Sequence, residues 1–327
     1  VASRALSAVR ALPASMVTGA NRLGRRVIDE DVLPLWSADL PGGGAPRQPR
    51  HRLGRTVPPV PATTLPGSAR GAAPFEGAVQ RPVERPVHEV VYFTACVGAM
   101  FGPSQAGPGV RDAFTRLCAR AEVELRTPAD LPSLCCGTPW RSKGMTKGAR
   151  EMEARVLESL WIATREGELP VVCDASSCTE GLLHTVQVQA ATPGSRYAAL
   201  RVVDAVSFVA EHVLPRLPEA RKIQSLALHP TCSTARMGIN EDLFTVASAV
   251  AQQVTVPPSW GCCGFAGDRG LLHPELSAAA TAEQAAELAG GDFDAYASSN
   301  RTCELGMSRA TGAQYEHILE LLDAATA

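Results

Sequence analysis

Nine of the ten cysteines in this 327-residue chain fall into an order that repeats. Cys135 and Cys136 are adjacent and precede a glycine in LCCGTPWRSKG, residues 134–144, and Cys262 and Cys263 do the same in GCCGFAGDRG, residues 261–270. Each pair lies between two single cysteines. Cys96 comes 38 intervening residues before the first pair and Cys178 follows after 41; Cys232 comes 29 before the second pair and Cys303 follows after 39. The first half adds Cys173, whose place in the second half is taken by Ser298. Thiolates are soft ligands that take zinc or the iron of iron–sulfur clusters. Two sulfurs on neighbouring residues suit a multinuclear cluster, whose irons each need a ligand, better than a single tetrahedral ion. The following glycine frees the backbone to turn. Lys143 and Arg269 are candidates to offset the remaining negative charge. Structural zinc is the alternative, and thiol–disulfide exchange at the vicinal pairs a third.

The elements that must position these sulfurs follow from hydrophobic patterning. From about residue 87 short apolar runs alternate with helical stretches, which predicts an α/β fold with mainly parallel sheets. VHEVVYFTAC, ELPVVCDASSC, IQSLALHPTC and FDAYASSNRTC read as buried strands whose carboxyl ends deliver Cys96, Cys173 with Cys178, Cys232 and Cys303. Open α/β sheets place their ligands at that edge. GAREMEARVLESLWIATREG, VDAVSFVAEHVLPRL, INEDLFTVASAVAQQV and ELSAAATAEQAAELAG read as helices. The repeat predicts two pseudo-symmetric units, at 87–215 and 216–327. Cys118, in the helical GVRDAFTRLCARAEVEL, belongs to neither set and is expected in the core.

Residues 1–86 differ in kind. They hold no cysteine and carry 12 basic against 6 acidic side chains, where the remainder carries 19 against 27. Gly and Pro recur from residue 40 onward, so this segment is expected as an irregular arm, with one or two short helices before it. It is expected to lie over the α/β body or to stay mobile. A start at Val1 suggests that the chain continues upstream in a longer parent. A formal charge of −2 and a pI near 6.4 provide no basic face for nucleic acid. No run approaches the ~20 apolar residues of a membrane span. A cytoplasmic location is expected, either free or peripheral at the inner face of the membrane.

Other residues near the motifs have two readings each. His229, three positions before Cys232, could be a ligand or proton donor, or could simply bond a neighbouring backbone group. His184 and His317 sit in helical patterns and are expected to be ordinary. Trp140 and Trp260 could shield the sites from water or merely pack. Asp268 and Arg269 could pair to hold their loop.

The repeated CCG with flanking cysteines resembles the cysteine-rich CCG domains of heterodisulfide reductases and of the iron–sulfur subunits of systems that oxidise glycolate, lactate and glycerol 3-phosphate. LCCGTPWRSKGM, HPTCS, GCCGFAGDRG, HPEL and SSNRTCELGMSRATG are similar to the C-terminal part of bacterial FAD-linked D-lactate (D-2-hydroxyacid) dehydrogenases, over residues 88 to 323. The resemblance implies an iron–sulfur electron-transfer module with clusters of the 4Fe-4S type, including the non-cubane form. It implies cofactor ligands Cys96, Cys135, Cys136, Cys173 and Cys178 in one half and Cys232, Cys262, Cys263 and Cys303 in the other, with zinc an option in one half. Four residues separate Cys173 from Cys178 where the family pattern has two. FAD is expected on an upstream domain or a flavin-carrying partner, and a quinone or cytochrome as acceptor, so the chain alone is not expected to oxidise D-lactate. The alternative is a zinc-stabilised interaction module of a redox complex.

Overall fold

The four apolar runs become strands in a computed structural model that describes residues 2–48, 87–103 and 107–327. Two helices, α1 (Ala2–Val9) and α2 (Ala14–Ile28), come first. The next four strands are β1 (Glu89–Phe93), β2 (Glu124–Arg126), β3 (Val171–Cys173) and β4 (Val202–Asp204). They are followed by β5 (Ile223–Leu228), β6 (Ala251–Thr255), β7 (Ala295–Ser298) and β8 (Tyr315–His317). Each set forms its own sheet, in the orders β2-β1-β3-β4 and β6-β5-β7-β8, and every pairing is parallel. Parallel neighbours need crossovers, and helices supply them, with one further helix after the last strand of each sheet. In the first unit these are α3 (Cys96–Met100), α4 (Val110–Arg120), α5 (Thr138–Ser142), α6 (Thr146–Ala163), α7 (Ser176–Ala190) and α8 (Ala205–Phe208). In the second they are α9 (Cys232–Met237), α10 (Asn240–Val250), α11 (Arg269–Leu272), α12 (Pro274–Leu288), α13 (Arg301–Thr311) and α14 (Ile318–Ala325).

Strand alternation assigns the layers. Val90 and Tyr92 enter a core shared by the two units, whereas Val91 and Phe93 enter the outer core of the first, between its sheet and α6 and α7. Leu226 and Leu228 likewise face the shared core while Ala227 faces outward. Helices α4 and α14 pack across the shared layer, and α8 and α10 make the corresponding contact. Since α4 corresponds to α10 and α8 to α14, these contacts are mates under a pseudo-twofold. Phe114 and Phe208 are fully buried there, in edge contact with centroids 6.2 Å apart. Such side chains each stabilise the fold by about 1.5–3 kcal/mol. Arg116 and Arg120 of α4 close on Asp323 of α14, so the interface is polar at its rim. Cys118 is fully buried in the shared core, as its solitary place in the sequence suggested.

Several elements differ from the sequence reading. The helix expected over 239–254 ends at Val250, because Ala251–Thr255 is claimed by β5 as an edge strand. The helix expected over 203–217 breaks into α8, a π-helical turn at Val209–Val213 and a 3-10 turn at Leu214–Arg216 that contains Pro215. His317 ends a strand rather than sitting in a helix; its Nδ1 accepts the Leu319 N–H and caps α14. The arm agrees with its reading where it is described: the two short helices α1 and α2 come first, and beyond Ile28 it runs irregularly over the body as far as residue 48. The part of the predicted arm at 49–86 lies outside the described residues.

Candidate metal centres

At the carboxyl end of the first sheet, β1 leads into α3 at Cys96, β3 ends on Cys173, and Cys178 lies in the first turn of α7. The loop before α5 brings in the vicinal pair. The sulfurs form a run of contacts: Cys96 with Cys135, Cys135 with Cys136, Cys136 with Cys178, and Cys178 with Cys173. All five predicted residues of this half are therefore brought together. Cys135 is the acceptor at the centre. Bonds from Cys136 and Cys96, with the Gly137 N–H, hold its thiol well below the ordinary range. Its donors shift the other way: Cys136 is pushed up to about 11, chiefly by its bond to Cys135, and Cys96 is pushed up by the same contact and by burial. Cys178 rises through its bonds to Cys136 and Cys173 and through burial.

The second sheet repeats this arrangement. Cys232 begins α9, Cys303 lies in the first turn of α13, and Cys262 and Cys263 occupy the loop before α11. Cys232 contacts Cys262, Cys262 contacts Cys263, and Cys263 Sγ lies 3.2 Å from Cys303 Sγ. All four predicted residues of this half meet. The Gly264 N–H donates to Cys262 Sγ at 3.4 Å, as Gly137 does to Cys135. Both glycines have positive φ, +87° at Gly137 and +67° at Gly264, a conformation that strains any other residue. The glycine of each CCG thus turns its own N–H onto the first sulfur. Ser298, in the place of Cys173, instead donates its hydroxyl to the His229 carbonyl.

The charge compensation differs from expectation. Lys143 pairs with Asp268 at 2.8 Å, joining the two CCG loops at the surface, so Asp268 bonds across the units rather than to Arg269. The buried cation beside the first set is Arg47, from the arm, which sequence reasoning did not single out among 12 basic residues. Its Nη1 donates to the Leu134 carbonyl at 2.7 Å and its guanidinium lies 5.1 Å from the centre of the Phe93 ring. Its charge favours the thiolate forms of Cys96 and Cys135. The arm also supplies Leu6, Trp36 and Leu40 to an apolar cluster containing Cys263, Cys303, Phe101 and Phe265. It is fastened by Leu35 N–H to Leu271 O at 2.7 Å, by Gly102 N–H to Gly42 O at 2.8 Å, and by Arg309 on Asp39. Leu40, Phe101 and Phe265 thus keep water from Cys263 and Cys303, whereas Cys262 is exposed and Cys232 half-buried. Trp140 and Trp260 are half-exposed, and Trp140 lies against Gly148, which makes it packing.

Two further features escaped the sequence reading. Arg141 braces the first loop, donating to the Cys136 and Gly181 carbonyls at 3.2 and 2.8 Å and pairing with Glu153. Gly181, three residues after Cys178, lets α7 approach the first pair, and Gly306 takes the same place after Cys303 with room left for a Cβ. The shared C-x-x-G spacing was there to be read.

The sets lie beside each other. Helix α9 packs on α7, and α3 on α13, which are again pseudo-twofold mates. Ser176 Oγ and Thr231 Oγ1 meet across the boundary at 2.9 Å, and Glu180 binds both Ser233 and Arg236. The donor chemistry fits thiophilic metal: sulfurs contiguous through their contacts, five of the nine buried, on rigid strand ends and helix starts. That set suits iron–sulfur iron or zinc and is ill suited to magnesium or calcium.

The profile of the cysteine-rich domain family, CCG, matches residues 90–182 and 226–308, one match in each unit. The glycolate oxidase iron-sulfur subunit of Escherichia coli (strain K12) is 23% identical over 315 residues, spanning 93% of this chain and 75% of that protein. The uncharacterized protein YkgE of the same organism is 29% identical over 162 residues, 47% of this chain and 66% of its own. Among solved structures, the glutamate racemase from Aquifex pyrophilus aligns over 72% of this chain and 81% of that one at 15% identity, with a TM-score of 0.32, too low to carry an argument. With two sets of cysteines at equivalent places in two parallel sheets, and with both CCG matches falling on those sets, the chain belongs to the cysteine-rich CCG domain family.

Proposed function

We propose that this chain is the iron–sulfur electron-transfer part of an FAD-linked oxidase of 2-hydroxy acids, of the D-lactate dehydrogenase type. Electrons pass from a flavin, on another domain or a separate partner, to a quinone, cytochrome or other carrier. The observation that carries this reading is the paired run of sulfur contacts, repeated at equivalent strand ends and adjoining across the unit boundary. The likeness to an iron-sulfur subunit over most of the chain supports it. We take the arm as 1–86 and the units as 87–215 and 216–327.

Cys96, Cys135, Cys136, Cys173 and Cys178 would hold one centre, and Cys232, Cys262, Cys263 and Cys303 the other. An iron–sulfur cluster bound there supplies one-electron transfer, which a flavin requires of its partner when a two-electron oxidation is to leave as single electrons. The chain's own residues set the environment. Gly137 and Gly264 direct N–H groups at sulfur, Arg47 offsets negative charge, and Leu40, Phe101 and Phe265 exclude water from Cys263 and Cys303. No helix among the described residues is long and apolar enough to cross a membrane. We place the protein in the cytoplasm, free or peripheral at the inner face of the membrane.

The test is rapid mixing of the anaerobically reconstituted chain with its reduced flavin partner. Flavin reoxidation should accelerate with the chain present, and the acceleration should vanish when Cys135, Cys136, Cys262 and Cys263 are all serine. Robust D-lactate oxidation by the isolated chain with no flavin added, or electron transfer surviving loss of both pairs, would overturn the reading.

A further inference from the structure

The two sets of sulfurs differ in one place, and the difference has a partner. In the first sheet Phe93 of β1 lies beside Cys173 of β3 in register. In the second, where Leu228 pairs with Ala297, the next residues along are His229 and Ser298. The second unit therefore lacks the fifth thiol but carries an imidazole, His229, where the first unit has the phenyl ring of Phe93. His229 is fully buried. Its offered ring nitrogen and the sulfurs of Cys263 and Cys303 all lie within 4.8 Å of one another.

The ring is oriented by a residue from another element. His229 Nδ1 lies 2.6 Å from Oε1 of Gln284, a buried side chain of α12. A carboxamide oxygen only accepts, so Nδ1 carries the proton and Nε2 the lone pair. The ring's partner on the other side is the thiol of Cys263, with Cys303 next to it. The ring is thus held against two sulfurs, and one nitrogen with two thiols is a soft donor set that suits zinc or iron. An orienting hydrogen bond on the far nitrogen is the usual mark of a metal-bound histidine.

We infer that His229 is a metal ligand of the second centre, through Nε2, and that Gln284 is its positioning residue. The centre is thus a mixed sulfur–nitrogen site built on His229, Cys263 and Cys303, completed by Cys262 or Cys232, while the first is sulfur only. This rests on the reading that the cysteine sets bind thiophilic metal. It makes the two centres chemically unequal. A neutral imidazole in place of a thiolate removes one negative charge, so an iron cluster held this way is the more easily reduced.

The experiment isolates each centre in the full chain. The variant Cys135→Ser/Cys136→Ser retains the second centre, and Cys262→Ser/Cys263→Ser the first. Each is reconstituted anaerobically with ferrous iron plus sulfide and, in parallel, with zinc alone. X-ray absorption at the edge of whichever metal binds should report nitrogen bonded to the metal at the second centre and sulfur only at the first. Gln284→Ala should weaken metal at the second centre by about 10–100-fold and leave the first unchanged. His229→Cys should keep the metal and convert its ligands to sulfur only. An all-sulfur ligand set at the second centre, or Gln284→Ala with unaltered affinity there, would overturn the inference while leaving the proposed function standing. Absence of metal from both centres would overturn both.

Discussion

Replacing Gly181 by alanine should separate the two halves by their response to one methyl group. A Cβ at Gly181 would stand 2.2 Å from Thr138 Oγ1, 3.1 Å from the Cys136 carbonyl oxygen and 3.2 Å from Arg141 Nη2. The corresponding Cβ at Gly306 would meet nothing closer than Cys263 Cβ at 3.4 Å, which is ordinary contact. Either substitution gains about 1 kcal/mol of helix propensity, since both positions lie inside helices. At Gly181 this is outweighed. Overpacking costs about 1–3 kcal/mol, and turning Thr138 aside forfeits its bond to the Ser177 carbonyl, worth about 1 kcal/mol. Gly181→Ala should therefore lower stability by roughly 1–3 kcal/mol and Gly306→Ala should raise it by up to about 1 kcal/mol. Urea unfolding of the two variants gives the difference directly. Metal bound to the first set should fall in Gly181→Ala, because α7 carries Cys178 and must withdraw from Cys136. Equal stability in the two variants, with equal metal, would refute the claim that Gly181 sets the approach of α7 to the pair.

Four further outcomes are expected. Arg47→Met removes a buried cation that favours the thiolate forms of Cys96 and Cys135, so the first centre's midpoint potential in a redox titration should fall, on the order of tens of millivolts. Glu320, pushed up to about 8 by burial and by Glu304 and Glu316, is raised in the folded state, so its stabilising contribution is complete below its ordinary value of 4.5 and is lost as pH rises through 8. Glu320→Gln should abolish that loss, a gain on the order of 3 kcal/mol at pH 7 by chemical denaturation, while leaving stability at pH 4 unchanged. Gly44→Ala places a Cβ 1.9 Å from the Gly98 carbonyl, which should lift the arm and speed hydrogen exchange at the Gly102 N–H by tenfold or more. Cys118→Ser should keep full metal content at reduced stability, whereas Cys135→Ser should lose metal from the first set; metal analysis beside thermal unfolding distinguishes them.

What the sequence made legible was the part carried by long patterns. The runs before Cys96 and Cys173 are continuous because their strands are covered on both faces, and those before Cys232 and Cys303, buried toward their carboxyl ends, could be matched to them through the repeat. The edge strands were not legible: β2, β4 and β8 are three residues each, and β6 follows directly on a helix whose pattern it continues. The sulfurs of each set could be grouped because repetition supplied a template. Arg47 could not be found this way, since its importance lies in a contact 87 residues away in sequence that no local pattern marks. Gln284 was hidden for the same reason, being one polar residue on an Ala-rich helix until the fold sets it against His229.

Iron content is the most direct test of the electron-transfer role. The full chain, purified without oxygen, should contain iron and acid-labile sulfide in comparable amounts, enough for a cluster in at least one set. It should show a broad visible absorption that bleaches on reduction, and both should disappear when Cys135, Cys136, Cys262 and Cys263 are replaced by serine. A chain that folds normally but carries only zinc, or no metal under reconstitution with ferrous iron and sulfide, would contradict it.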